Sequence, residues 1–299
     1  MTFDVAATQS RLLLYAPNVH TGGGLVLLKA VLEAWPEQYP LKAWLDIRAK
    51  GVLQLPRDTQ VNWVSPTVYS RLKSEWSLAS CSVRTDGILC FHGLPPLLPN
   101  SGRVMLFQQN RINLGQVRMA GFSLRTHLRL LFEQFVSSAL RRRVATLWVQ
   151  TQSMQRSLRQ WYGSDEVDVR VLPFALPMAT PKRSPSPGWD FVYVADGEAH
   201  KNHARLLHAW QLLAHEGLHP SLALTLAPRD AELAHEVEAL ARTYGLCITN
   251  LGQLPHTQVL ELYGSARALI FPSLTESFGL PLVEARRCGL PILAGGLDF

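Results

Sequence analysis

The feature that most constrains this 299-residue chain is an alternation. Short apolar runs of strand length take turns with amphipathic runs of helical length. Strands separated by helices pair in parallel, because each crossover needs a dozen or more residues of connecting chain. Residues 12–16, 41–46, 87–91, 104–108, 146–150 and 169–173 read as strands; residues 25–35, 123–144 and 153–162 read as helices. The segment PFALPMATPKRSPSPGW then interrupts the pattern with five prolines and reads as a linker.

Past the linker the alternation restarts. Strands are expected at 191–195, 221–226, 247–251, 268–272 and 292–294, with helices at 202–216, 230–244, 257–265 and 281–288. In the second of these helices Leu233, Val237, Leu240 and Tyr244 share one face, and Asp230 suits the N-cap. The chain therefore predicts an α/β protein of two Rossmann-like domains, residues 1–176 and 177–299, with a ligand cleft between them.

Composition narrows the classes. Apolar residues make up 47% and charged residues 17%, enough for real cores and unlike a disordered chain. The net charge of +6 suits anionic lipid, nucleic acid or phosphate-bearing ligands and selects none of them. Cys81, Cys90, Cys247 and Cys288 form no C-x-x-C pair and read as buried thiols in a reducing compartment. MTFDVAATQSR lacks the basic and apolar regions of a signal peptide, and no run nears the roughly 20 apolar residues of a membrane span. A soluble cytoplasmic protein is expected.

Chemistry concentrates near the C-terminus, in PSLTESFGLPLVEARRCGLPIL. Gly279-Leu280-Pro281 reads as a helix start, whose first-turn amides favour an anion or a sugar oxygen. Glu276 precedes it, Glu284 is expected in its first turn, and the two carboxylates would flank the amides. Upstream, Lys201-Asn202 lies between a strand and a helix, where a cation beside amides makes a diphosphate clamp. Gly22-Gly23-Gly24 reads as a loop that lets backbone approach a phosphate, without meeting the G-x-G-x-x-G pattern of NAD binding.

The glutamate segment resembles the E-x7-E segment of retaining glycosyltransferases of family 4, which have the GT-B fold. FVYVADGEAHKNHARLLHAWQLL resembles the strand–loop–helix that opens that family's second domain. The resemblance is strong from Phe191 onward and weak before it. It implies that Glu276 lies by the donor sugar, that Glu284 binds the nucleotide ribose, and that Phe278, Gly279 and Leu280 offer backbone amides. Lys201 and Asn202 would hold the diphosphate, with Gly23 and Gly24 bordering it. Glu276 and Lys201 would be the catalytic pair. LGQLP (251–255) would meet the base. Many relatives carry an Arg in the Lys201 loop, where this chain has Asp196 and His200, and a His-Asp type pair where it has Gln109-Asn110; His92 is the remaining acceptor-side candidate.

The function so implied is transfer of a sugar from a nucleotide-sugar to an acceptor hydroxyl with retained configuration, in bacterial surface polysaccharide synthesis. No cofactor and no metal are expected, and no D-x-D occurs. The expected partners are the donor and a glycan or lipid-linked acceptor, with no nucleic acid. The basic segment 124–148 is a candidate for peripheral contact with anionic membrane at the inner face of the cell membrane. The same resemblance implies that the second domain lacks its last strand and helices, so a non-catalytic remnant that binds nucleotide or a partner chain is the alternative. A two-domain nucleotide-sugar epimerase is a third.

Overall fold

The computed structural model describes residues 11–91, 93–114, 124–163, 168–172 and 183–296. They form two compact units, divided between residues 172 and 183. The first runs β1 (Leu12–Ala16), α1 (Gly22–Glu33), β2 (Lys42–Asp46), β3 (Gln60–Val64), α2 (Val68–Cys81), β4 (Gly87–Cys90), β5 (Arg103–Phe107), α3 (Leu124–Ala139), β6 (Val144–Val149), α4 (Gln152–Tyr162) and β7 (Val169–Val171). Its strands pair in parallel in the order β3-β2-β1-β4-β5-β6-β7. The second runs β8 (Trp189–Tyr193), α5 (His203–His215), β9 (Leu222–Leu224), α6 (Ala231–Tyr244), β10 (Ile248–Asn250), α7 (His256–Gly264), β11 (Ala266–Phe271), α8 (Leu280–Arg287) and β12 (Ile292–Ala294). Its sheet is also parallel, in the order β10-β9-β8-β11-β12.

The expected α/β class and the two Rossmann-like sheets are therefore found. Alternate strand residues bury to opposite faces. In the first unit Leu14, Ala43, Leu45 and Leu89 meet α1 on one side. Leu13, Trp44, Ile88 and Leu147 meet Leu78 of α2 and Leu158 of α4 on the other. In the second, α5, α6, α7 and α8 all contribute to one core with the strands.

Several expectations change. β3 and α2 were not legible: β3 lies at the sheet edge with only Val64 buried, and α2 exposes most of its apolar residues. The single helix expected over 123–144 ends at Ala139; a 3-10 turn at Arg141–Arg143 follows, and Val144 already belongs to β6. Asp230 does not cap α6; its carboxylate turns back to accept from the Ala227 amide at 3.2 Å. Tyr244 is exposed and stacks edge-on with His215 instead of joining the core. Among the four free thiols, Cys90 and Cys288 are buried but Cys247 is exposed.

Candidate functional site

Each sheet reverses its strand order once, between β1 and β4 in the first unit and between β8 and β11 in the second. Open parallel sheets bind ligands at the carboxyl ends of strands at such a point. The loops past β8 and β11 carry Lys201 and Glu276.

Those two loops are stitched together. The Leu274 amide donates to the His200 carbonyl at 2.8 Å, and Asn202 Nδ2 donates to the Pro272 carbonyl at 3.1 Å. From the core, the buried Tyr193 hydroxyl donates to the Lys201 carbonyl at 2.7 Å and lies 3.1 Å from Ser273 Oγ. Asn202 takes a left-handed backbone, φ 61°, which ends the 3-10 turn Ala199–Lys201 and lets α5 begin at the next residue. Asn is among the few non-glycine residues that adopt it readily. The result sets Lys201 Nζ 2.6 Å from Glu276 Oε1, with both side chains mostly buried. Sequence reasoning placed both residues at the site, and the structure brings them into direct contact.

Gly279 has φ 66°, and a Cβ there would lie 2.9 Å from Leu282 Cδ1. Only glycine fits this turn. It starts α8, with Pro281 in the first turn. The Leu282 and Val283 amides close back on the Gly279 carbonyl at 2.9 and 3.3 Å. The Gly279 and Leu280 amides stand ahead of that turn, next to Phe278.

Glu284 departs from expectation. It lies in the second turn of α8, and its carboxylate is buried. His256 Nε2 lies 2.8 Å from one oxygen, and the Tyr263 hydroxyl donates to the other at 3.3 Å. Burial and the Glu284 charge push the Tyr263 hydroxyl well above its ordinary range, so it remains a donor. The glutamates therefore do not share a contact among the described residues: Glu276 is held by Lys201, and Glu284 by His256 and Tyr263.

The positions where relatives carry an Arg behave differently from a cation site. Burial first, and then the Lys201 charge, lowers His200 to about 4, so it is neutral at pH 7. His203, at the start of α5, is lowered to about 4 by burial. A cation arrives from elsewhere. Arg229, in the 3-10 turn Pro228–Asp230 past β9, donates from Nη2 to Asp196 Oδ2 at 3.0 Å. Sequence reasoning missed Arg229 because it lies on a different loop, 33 residues from Asp196. The signal available was an Arg in the short loop between a strand and a helix, past the carboxyl end of β9.

Beside these groups an open depression of about 500 Å3 is lined by Pro228, His235, Glu238, Asn250, Gly252 and Gln253, among others. Asn250 Oδ1 shapes it, accepting from the Leu226 amide at 2.9 Å and the Gly252 amide at 3.1 Å. The 251–255 segment thus borders a cavity at the ends of β9 and β10.

In the first unit, Gly22-Gly23-Gly24 is not a loop but the first turn of α1, which starts three residues earlier than expected. A cavity of about 180 Å3 adjoins it, lined by Asn18, Val19, Thr21, Gly24, Phe91, Gln109 and Asn110. Gln109 Nε2 donates to the Phe91 carbonyl at 2.6 Å, and its Oε1 lies 3.0 Å from where a Cβ on Gly24 would sit. The glycine position and the Gln109-Asn110 pair therefore meet in one pocket, while His92 lies outside the described residues. No cluster of three or more potential metal ligands occurs among the described residues.

Residues 180–296 match the family Glycosyl transferases group 1. A serotype-specific mannosyltransferase, WbdA, of Escherichia coli is 36% identical over 104 residues, which is 33% of this chain and 13% of WbdA. O-antigen chain mannosyltransferase B of Escherichia coli is 31% identical over 108 residues, 36% of this chain and 28% of that protein. These matches thus cover under a third of either relative. The Anabaena protein Alr3699/HepE, solved with UDP-glucose, superposes with a TM-score of 0.70 over 97% of this chain and 81% of its own, at 16% identity. Sucrose-phosphate synthase from Thermosynechococcus elongatus gives 0.65 over 97% and 82%, also at 16% identity. The fold is GT-B, and the family match falls within its second unit.

Proposed function

We propose that the chain is a retaining glycosyltransferase of family 4 that moves a hexose, with mannose the first candidate, from a nucleotide-sugar to an acceptor hydroxyl in bacterial surface polysaccharide synthesis. The observation that carries this reading is the Lys201–Glu276 pair at the strand-order reversal of the sheet whose residues match the group 1 glycosyl transferase family. The mannosyltransferase relatives support the sugar and the setting.

The reaction breaks the bond between the anomeric carbon and the diphosphate oxygen. It forms a bond from that carbon to the acceptor oxygen on the same face, and the acceptor proton goes to the leaving phosphate oxygen. No protein base is required. Lys201 has three N–H donors; Glu276 takes one, and the others stabilise charge on the departing diphosphate. The second oxygen of Glu276 accepts from the donor sugar and orients it. Asn202 and the Phe278-Gly279-Leu280 amides complete the phosphate side. A carboxylate has about four acceptor sites, so Glu284 keeps capacity for the ribose hydroxyls while His256 and Tyr263 hold it. These groups do the work without a metal or another cofactor. The acceptor is a glycan or lipid-linked glycan, and the basic turn after α3 suits the anionic inner face of the cell membrane.

The test is the melting temperature of the chain with UDP, GDP, dTDP and ADP, followed by product analysis with the matching sugar donor. A ligand at about 100 times its dissociation constant adds roughly 2.7 kcal/mol. A shift selective for one base supports the reading, and an α-linked product from an α-linked donor supports retention. No shift with any of the four, or an inverted product, overturns it.

A further inference from the structure

His20, Asp46, Arg48 and Arg71 lie together past the carboxyl ends of β1, β2 and β3, outside the lining of the first unit's cavity. Asp46, the last residue of β2, is buried and accepts three hydrogen bonds from Arg48: from the backbone amide at 2.9 Å, Nε at 2.9 Å and Nη2 at 2.7 Å. His20 Nδ1 approaches the same carboxylate to 3.8 Å, and Arg71 Nη2 to 3.9 Å. Both distances are too long for hydrogen bonds. Asp46 is therefore committed to Arg48. Among the described residues no other carboxylate comes within ion-pair reach of Arg71, and its guanidinium donates no hydrogen bond.

That is an unfavourable state for an arginine. The Arg71 side chain is 28% exposed. Burial lowers its pKa, and the Asp46 charge offsets only part of that. Arg71 is also the fourth residue of α2, at the end where the helix dipole disfavours a cation. A guanidinium has five N–H donors, and a half-buried cation that uses none of them is costly. Arg48 and Arg71 together face one carboxylate, so one positive charge is unmatched before His20 is counted.

We propose that Arg71, supported by Arg48 and His20, binds an oxyanion carried by the acceptor, a phosphate or carboxylate group. This deepens the proposed function and rests on that reading only for the acceptor. Open parallel sheets bind ligands past the carboxyl ends of their strands, where this cluster lies. One loop joins it to the cavity: Asn18, Val19 and Thr21 line the cavity, while His20, among them, approaches Asp46. An acceptor can therefore place a neutral hydroxyl in the cavity and its anionic group on Arg71. The oxyanion supplies the paired acceptor atoms that a guanidinium fork fits, and it neutralises the unmatched charge.

The experiment is isothermal titration calorimetry of the chain, at constant ionic strength, with mannose, mannose 6-phosphate and glucuronate. At least one of the two anionic sugars is expected to bind about tenfold or more tightly than mannose, and the tighter one names the group. Arg71→Gln should erase that advantage. Arg71→Lys keeps the charge without the fork and should retain part of it. Because the Arg71 guanidinium donates no hydrogen bond within the fold, neither variant should lower the melting temperature or the nucleotide-induced shift. Lys201→Met, in the other unit, should leave the advantage intact. Equal affinity for all three sugars, an advantage that survives Arg71→Gln, or one that Lys201→Met removes would each overturn the proposal. An advantage lost with Arg71, in a chain that shows no nucleotide-induced shift, would keep the oxyanion site and sink the transferase reading.

Discussion

The strand-order reversals of the two units share a topology and differ in chemistry. At the second, acid and base pairs converge: Lys201 with Glu276 at 2.6 Å, Arg229 with Asp196 at 3.0 Å, and His256 with Glu284 at 2.8 Å. At the first, the described residues that wall the cavity are amides, a hydroxyl, glycine and apolar side chains, with no ionisable group among them. The buried acids of the first unit are spent on its own loops. Asp46 is buried against Arg48 at 2.7 Å, and Glu75 receives the Tyr15 hydroxyl at 2.9 Å. The difference teaches what each edge can bind. A diphosphate is multiply charged and needs fixed cations. A neutral hydroxyl needs oriented neutral partners, and a buried charge without its counterpart would be costly there.

The sharpest way to break this comparison is to remove the cation. Lys201→Met keeps much of the side-chain volume and strips the charge. Turnover should fall by about 100-fold or more, the scale for losing a donor to developing negative charge. Melting should fall as well, because the mostly buried Glu276 loses its cation, so turnover is read per folded molecule. Unchanged turnover per folded molecule would show that the second edge is not a diphosphate clamp.

Acid titration separates the units by stability. His200 and His203 are held near 4, below the ordinary 6.5, chiefly by burial. The unfolded chain therefore binds protons that the folded second unit refuses. Its stability is full above pH 6.5, declines as pH falls toward 4, and this contribution is gone below that. The first unit behaves otherwise. Burial raises the Glu75 carboxyl against its hydrogen bonds, which favours the fold as pH falls. Burial opposes ionisation of Asp46, but hydrogen bonds from Arg48 hold its carboxyl below the usual value, so its contribution is lost only in stronger acid. Hydrogen exchange read separately over residues 11–172 and 183–296 should show the second unit loosening first between pH 6.5 and 4. His203→Phe should remove roughly half of that slope. Equal loosening of both units would deny the neutral histidines any role in it.

A tenfold effect is expected from the cation that crosses between loops. Arg229→Ala should weaken nucleoside diphosphate binding about tenfold, the value of one modest charge-assisted hydrogen bond. It should leave binding of the nucleoside alone unchanged. Asp196→Asn frees the guanidinium and should tighten diphosphate binding instead. If both variants bind the diphosphate like the wild type, the pair is only a surface ion pair.

The sequence made the site's framework readable for a physical reason. Strand-to-helix turns carry their own signals, such as Gly279 before Pro281 and Lys201-Asn202 after an apolar run. What it concealed depends on packing. Arg229 belongs to the site through a neighbouring strand. His256 and Tyr263 engage Glu284 from α7, some 28 and 21 residues away in sequence. The glycine triplet looks like a loop by composition, yet it folds as a first helical turn because Thr21 is extended and α1 starts at once. α2 escaped because its apolar residues point two ways, with Leu78 to the core and Trp76 to the surface.

The smallest effect concerns the neutral edge. Gln109 holds the Phe91 carbonyl and presses its Oε1 toward Gly24, so it fixes the wall of the first cavity without carrying charge. Gln109→Ala should raise the acceptor KM a few-fold, by roughly the 1 kcal/mol of one neutral hydrogen bond. Diphosphate affinity should stay as it was, because no charged group is touched. Gln109→Glu is the sharper variant, since it places a carboxylate beside the carbonyl that the amide now satisfies. It should cost more than alanine in acceptor use, and more above the carboxyl's pKa than below it. A Gln109→Ala variant that lost diphosphate binding while keeping its acceptor KM would reverse the assignment of the two edges.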